Sequence, residues 1–350
     1  MTHSKQTNLS IIAKGDCDSV SPTGSPLVSI VIPCYNRTEL LKETLSCISS
    51  QSHHPLEILI VDDASEEDLL PAITSSLLSF KGIWKCIRLT QNQGPGISRK
   101  IGHEFSTGTF IQFLDSDDIL ATSKIEQQVK FLTEFPELIM TYCLTHNLER
   151  NKSNTLLGRT NEEFTRILPE SLFRITWQTS SCLWRASKIS PKNWKRLYGP
   201  EDILFDFLTG LQDYPIAKTP GNTPLLFKRI EDTGISFGIA GNLKYQKEIL
   251  KSYDYFLQAL TTPPHNRSIH FDSWLRIIIK KYQQKIFPFL TFRDEDSVIH
   301  CFKIIKQYFP SFLSPTEKLC FYLYGGLFST LPLTMLRKWY WLKKLACKII

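Results

Sequence analysis

Phe110-Ile111-Gln112-Phe113-Leu114-Asp115-Ser116-Asp117-Asp118-Ile119 is the stretch from which the rest of the chain can be read. An apolar run of strand length ends in three carboxylates, Asp115, Asp117 and Asp118, so the strand carries concentrated negative charge to its own C-terminal edge. Carboxylates this close repel one another, and the usual resolutions are a raised pKa on one of them or a bound cation. Hard divalent ions such as Mg²⁺ and Mn²⁺ take oxygen ligands and commonly bridge to a substrate diphosphate. The alternative is an acidic helix start, with Asp117 or Asp118 capping the helix that follows.

Upstream, Leu27 to Ile32 is a β-branched run that stops at Pro33, which reads as the first buried strand of a parallel sheet, with Pro33 to Asn36 as a loop at its end. Asn36 and Glu39 have capping-box spacing for a helix over 37–50. Leu56 to Val61 is a second apolar strand ending in Asp62-Asp63-Ala64-Ser65, a helix delayed by Pro71 follows, and Ile83 to Leu89 is a third strand. The Gly94-containing loop then opens a helix bearing Arg99 and Lys100, and the acidic strand comes next. Strands alternating with helices predict a doubly wound, mostly parallel α/β sheet, whose ligands bind at the carboxyl ends of the strands. Further on, the sequence predicts a helix over 123–135, a strand over 138–143, a mobile polar loop over 145–163, a strand over 177–184 and another at 225–227.

With 350 residues, 42% hydrophobic and 21% charged, the chain can bury a substantial core. Its net charge of +7 is unevenly placed: residues 241–350 hold 17 Lys/Arg against 7 Asp/Glu, and residues 1–240 hold 24 against 27. The nine cysteines show no CxxC or metal-ligand spacing and read as buried free thiols of a reducing compartment. The polar first 25 residues lack an apolar segment of signal-peptide type and read as a flexible tail.

Four segments in register carry a resemblance: Val28 to Asn36, Val61 to Ser65, Asn92-Gln93-Gly94 with Ser98-Arg99, and Gly108 to Asp118. Together they closely resemble the inverting family 2 glycosyltransferases of the GT-A fold, firmly over 26–118 and more softly to about 236. The resemblance implies a GT-A domain over 26–236 between the tail at 1–25 and a basic helical region at 237–350. It implies that Pro33, Tyr35 and Asn36 line a nucleotide pocket, that Asp63 supported by Asp62 binds the base, and that Arg99, Ser116 and Arg229 serve the donor. Asp115, Asp117 and Asp118 match the DXD motif that holds Mn²⁺ or Mg²⁺ against the diphosphate, with Asp117 and Asp118 as first ligands. Inversion needs a general base on the opposite face of the sugar. The family's Glu-Asp pair falls on Glu201-Asp202, with Asp202 as base and Glu201 as helper; Pro200 followed by acids is also ordinary helix-start chemistry. Trp177 or Trp184 either stacks on an acceptor sugar or belongs to the core.

The expected activity is transfer from a nucleoside-diphosphate sugar, a UDP-sugar favoured, to a hydroxyl of a glycan, lipid-linked or protein acceptor in surface polysaccharide or glycoconjugate synthesis. The competing reading is a catalytically inactive nucleotide-sugar-binding or membrane scaffold protein. A nicotinamide dehydrogenase is disfavoured because Pro33 to Asn36 stand where a GxGxxG turn is required. The low-charge run 319–336 followed by Arg337, Lys338, Lys343, Lys344 and Lys348 among aromatic residues suits the interface of an anionic membrane, or equally a packed helix with a basic face. A cytoplasmic location, peripheral at the membrane face, fits this picture, and no nucleic-acid partner is expected.

Overall fold

The computed structural model describes residues 9–15, 24–148, 155–156, 158–173, 176–230, 242–265, 268–292 and 294–308. The chain divides into two compact units, Met1–Phe237 and Gly238–Ile350. In the first, β1 (Leu9–Gly15), β2 (Val28–Cys34), β3 (Leu56–Asp62), β4 (Ile83–Leu89), β5 (Phe110–Phe113), β7 (Met140–Tyr142), β10 (Cys182–Arg185) and β11 (Ile216–Lys218) form one sheet, ordered β1-β4-β3-β2-β5-β10-β7-β11. Its centre, β4-β3-β2-β5, is parallel, and β10 runs antiparallel to both β5 and β7. A smaller sheet joins β6 (Ile119–Leu120), β12 (Leu226–Arg229), β8 (Thr145–Leu148) and β9 (Thr155–Leu156).

All seven residues of β2 and of β3 are buried, which is why these strands read as continuous apolar runs rather than alternating ones. Val28, Ile30 and Ile32 face Leu41, Leu45 and Ile48 of α1 (Thr38–Ser49) and belong to the core that also holds Ile125, Val129 and Leu132 of α4 (Lys124–Glu134). Val31, Leu59, Ile111 and Phe113 belong to a second core with Trp177, Trp184, Trp194 and Phe205. Crossover helices α1, α2 (Leu70–Ser76, opened by Pro71) and α3 (Pro95–Phe105) connect the central strands. Register pairs Cys34 with Asp62 and Val31 with Phe113, so the ends of β2, β3 and β5 lie side by side.

Several sequence expectations are corrected. Leu9–Gly15, assigned to the tail, pair antiparallel with β4 and extend the sheet. Pro33 and Cys34 continue β2 instead of opening the loop; the β2–β5 ladder ends at Val31, so the missing proline N–H costs nothing on that side. Asn36 does not cap α1: its Oδ1 accepts the Glu66 N–H at 2.8 Å, and α1 starts at Thr38. Part of the stretch read as a mobile loop is strand, since β8 pairs parallel with β12. Residues 177–184 are not one strand: Ser181 N and Oγ both bond the Gln178 carbonyl, at 2.9 and 2.7 Å, and close a 3₁₀ turn over Thr179–Ser181 before β10.

The second unit contains α7 (Leu243–Thr261), α8 (Phe271–Phe292) and α9 (Glu295–Tyr308). Helix α7 ends before Pro263-Pro264, as the prolines predict. Its polar centre is Asp254, whose Oδ1 lies 2.7 Å from both the Tyr282 hydroxyl and His300 Nε2. Among the described residues no helix is long and apolar enough to cross a membrane. The basic aromatic stretch at 337–348 lies outside the described residues.

Candidate active site

The site is built at the carboxyl edge of β2, β3 and β5, and its organising group is one arginine. Arg99, in the second turn of α3, is almost fully buried. Its Nη2 donates to Asp115 Oδ1 at 2.6 Å and its Nη1 to Glu201 Oε1 at 2.9 Å, while the guanidinium carbon stands 5.2 Å from the centre of the Trp194 ring. These partners lie 16 and 102 residues away in sequence, so one side chain joins the acidic turn after β5 to the start of α6 (Glu201–Gly210). Burial opposes its charge, but Asp115 and Glu201 outweigh that and hold Arg99 above the ordinary arginine value. The close packing needs Gly96, where a Cβ would come within 2.4 Å of the Lys195 carbonyl and about 3.0 Å of Glu201.

The three carboxylates of the acidic turn have different environments. Burial raises the pKa of Asp115, but the adjoining Arg99 reverses this and holds it below the ordinary value. Asp117 is ion-paired with Arg37, yet burial and the charge of Asp115 push its pKa up. Asp118, 2% exposed, is raised well above the ordinary value by burial and by Asp115 and Asp117, and the Ser180 hydroxyl only partly offsets them. Thr44 Oγ1 donates to the backbone carbonyls of Ser116 and Asp118, at 3.0 and 3.1 Å, and fixes the turn against α1. Arg229 lies at its rim, with Nε 3.4 Å from the Asp117 carbonyl and Nη2 paired with Glu43.

Asp62 and Asp63 are arranged otherwise. Asp62 accepts the Ser65 N–H at 2.9 Å and pairs with Arg88 at 3.1 Å. Asp63 accepts the N–H groups of Gln93 and Gly94, at 2.7 and 2.8 Å, one on each oxygen; burial raises its pKa, and the two amides only partly offset this. Gly94 has φ +87°, a conformation that L side chains rarely adopt. Both carboxylates therefore brace the loops at the carboxyl edge of the sheet. Asn36 has φ +51°, bonds across to the Ser65–Glu66 loop, and leaves Tyr35 41% exposed at the mouth.

At the start of α6, Glu201 is tied at both oxygens, to Arg99 and, at 3.0 Å, to the Gly199 N–H. Asp202 lines a small cleft with Trp177, Thr179, Trp194 and Asp206, and its Oδ1 accepts the Ile203 N–H at 2.7 Å. Burial and the neighbouring Glu201 raise its pKa to about 6, against the pull of Arg99. Trp177 and Trp184 are 3% and 2% exposed and pack in the core, which leaves no broad ring face for a sugar.

Three hard oxygen donors, two with raised proton affinity, suit Mg²⁺ or Mn²⁺ in chemistry. Among the described residues no three metal-binding side chains converge on a ready-made set, because Asp115 and Asp117 are turned onto Arg99 and Arg37.

Sequence reasoning missed Arg37, Ser180 and Lys228. Lys228 Nζ bonds Gln178 Oε1 at 2.7 Å, and its charge acts on Asp115 and Asp118. Only the placement of Arg37 directly after Asn36 offered a signal.

The family model of glycosyl transferase family 2 matches residues 29–186. These residues are a family 2 glycosyl transferase domain. The match takes in the pocket loops, Arg99 and the whole acidic turn, but ends before Glu201. Among curated relatives, the glycosyltransferase domain resembles a glycosyltransferase of Haemophilus influenzae, 33% identical over 156 residues, which are 43% of this chain and 60% of that protein. It also resembles the teichuronic acid biosynthesis glycosyltransferase TuaG of Bacillus subtilis, 33% identical over 31% of this chain and 43% of that one. The chain thus spans no more than about 60% of the length of these relatives. In fold it is similar to Staphylococcus aureus TarS 1–349 in complex with UDP, with a TM-score of 0.59, 15% identity and 81% of each chain covered. It is likewise similar to the Pyrobaculum calidifontis mannosyltransferase PcManGT in complex with GDP-Man and Mn²⁺, with a TM-score of 0.52, 14% identity and 92% and 86% of the two chains covered. The fold is the GT-A α/β fold of these glycosyltransferases.

Proposed function

We propose that this chain moves a sugar from a nucleoside-diphosphate sugar, a UDP-sugar favoured, to an acceptor hydroxyl with inversion. The observation that carries the proposal is the double ion pair of Arg99, which sets the acidic turn and the Glu201–Asp202 pair around one guanidinium. Donor diphosphate and acceptor hydroxyl require neighbouring but chemically opposite groups, and this arrangement supplies them. Asp202 is the base: Glu201 is held at both oxygens, whereas Asp202 borders the cleft with a proton affinity suited to work near neutral pH. Asp117 and Asp118 would hold Mn²⁺ or Mg²⁺, which when bound offsets the charge of the departing nucleoside diphosphate. The neighbours that bind UDP and GDP-Man support a nucleotide-sugar donor, and TuaG supports an acceptor in surface polysaccharide or another glycoconjugate. An anionic membrane face as the working location draws on the Lys/Arg excess of residues 241–350.

A thermal-shift panel of nucleoside diphosphates and their sugars, each with and without Mn²⁺, identifies the donor class, since a ligand of the folded state raises Tm. Transfer is then measured for wild type and Asp202→Asn. The variant should retain donor binding and lose transfer by roughly 10²–10⁴-fold. Undiminished transfer would remove Asp202 as base; nucleotide binding without turnover in wild type would favour the scaffold reading.

A further inference from the structure

Beneath the acidic turn lies a charged group that the proposed chemistry does not use. Lys124, the first residue of α4, is 0% exposed. Among the described residues its ammonium meets no carboxylate within ion-pair distance: it donates to Gln112 Oε1 and, at 2.6 Å, to Gln128 Oε1. Burying an ammonium against neutral amides is costly, and here burial lowers its pKa. An apolar side chain would fill the same volume without that cost, so the ammonium is accounted for by what it orders.

An ammonium can only donate, so it dictates which end of each glutamine amide faces it. With both Oε1 atoms turned to Lys124, the amide nitrogens must point away. Gln112 Nε2 donates to the Phe113 carbonyl at 2.6 Å and the Ser180 carbonyl at 2.9 Å, and Gln128 Nε2 donates to the Ser181 carbonyl at 2.9 Å. Two consecutive carbonyls of the 3₁₀ turn are thereby held from one cation. The Ser180 hydroxyl then accepts the Asp115 N–H at 3.1 Å, and it also pulls the Asp118 pKa down. From Lys124 through Gln112 and Ser180, the chain of hydrogen bonds ends on the backbone of Asp115, the first residue of the acidic turn.

We propose that Lys124 is a positioning residue for the acidic turn, holding Gln112 and Ser180 so that the turn from Asp115 to Asp118 stays in place to receive a cation and a nucleoside diphosphate. The inference rests on the acidic turn being the donor site. A lysine that merely supported the fold would affect stability; a positioning lysine also sets ligand affinity in protein that is still folded.

The test is calorimetric titration of UDP and of GDP, each with Mn²⁺, into full-length wild type, Lys124→Met, Ser180→Ala and Gln128→Leu, at a temperature where circular dichroism shows each folded. Outer-shell partners of a metal site typically contribute roughly 10–100-fold in affinity. Lys124→Met and Ser180→Ala should lose about that much for whichever nucleotide wild type binds. Gln128→Leu, whose amide leads to Ser181 and Thr219 instead of Ser180, should lower Tm yet stay within about twofold of wild-type affinity. If Lys124→Met does not fold, Ser180→Ala carries the test, because it leaves the ammonium and both glutamines in place. Wild-type affinity in Ser180→Ala and Lys124→Met, or an equal loss in Gln128→Leu, would overturn the inference. Wild type that binds neither nucleotide would overturn the donor-site reading and the inference with it, an outcome visible before any variant is compared.

Discussion

Two strand ends of the same sheet carry acidic clusters, and they handle charge in opposite ways. At the end of β3, Asp62 and Asp63 are taken up by the fold: backbone amides of Ser65, Gln93 and Gly94, together with Arg88, occupy their oxygens. At the end of β5, Asp115, Asp117 and Asp118 crowd one another, and the charge of neighbouring aspartates adds to burial in raising the pKa of Asp117 and, well above the ordinary value, of Asp118. The first cluster stabilises loops and the second stores repulsion. A cluster that costs the apo protein energy has something to gain from a cation, which is the physical sense in which it is a site.

The sharpest way to break this contrast is a pair of variants. Asp117→Ala should abolish the Mn²⁺-dependent rise in Tm with nucleotide and lower transfer about hundredfold or more, the equivalent of a few kcal/mol of lost charge stabilisation. Its ligand-free Tm should hold, because relief of like-charge crowding offsets the loss of the partly exposed Arg37 pair. Asp62→Ala should do the reverse, lowering ligand-free Tm while leaving the dependence on Mn²⁺ intact. If the two variants behave alike, the contrast fails.

Asp63→Asn is a finer probe. An asparagine can present an oxygen to only one of the Gln93 and Gly94 N–H groups, so one part-buried donor is left facing an NH₂, at a cost of about 1 kcal/mol. Hydrogen exchange should quicken at Gln93 and Gly94 specifically. Unchanged protection there would mean that Asp63 is free to serve a base and that its amide contacts matter little.

What the sequence made legible follows from the same physics. Buried parallel strands show as unbroken apolar runs, so β2, β3 and β5 and the acids at their ends could be placed directly. Leu9–Gly15 could not, because Leu-Ser-Ile-Ile-Ala-Lys-Gly has neither a clean alternation nor a long apolar run and owes its strand to an edge supplied by β4. Trp177 to Trp184 suggested a strand by aromatic content, but Gln178 and Ser181 satisfy one another locally and turn the chain. Arg37 and Lys124 were passed over for a different reason. Their roles depend on partners, Asp117 at 80 residues' separation and Gln112 on the neighbouring strand, that only tertiary packing brings within reach. Arg99 was named as a donor-binding residue, but its hold on Glu201 belongs to the fold alone.

The smallest expected effect concerns the acid facing the cleft, and its sign is what discriminates. Asp202 has its pKa raised to about 6 by burial and by Glu201, so the folded chain binds that proton more tightly than the unfolded chain does. Its ionisation therefore opposes folding: the penalty is absent below about pH 3, where both states are protonated, grows between about pH 4 and 6, and is complete above that. Asp202→Asn should raise Tm at pH 8 by roughly 2–4 °C, the shift expected for about 1 kcal/mol in a domain of this size, and should give no gain near pH 3. Transfer by wild type should change in the opposite sense, rising with pH through about 6 as the base ionises. A residue that weakens the fold over the pH range in which it enables the reaction is held there by the chemistry. If Asp202→Asn lowers Tm at pH 8 instead, the carboxylate belongs with Asp62 and Asp63 as part of the scaffold, and the base must be sought elsewhere around Arg99.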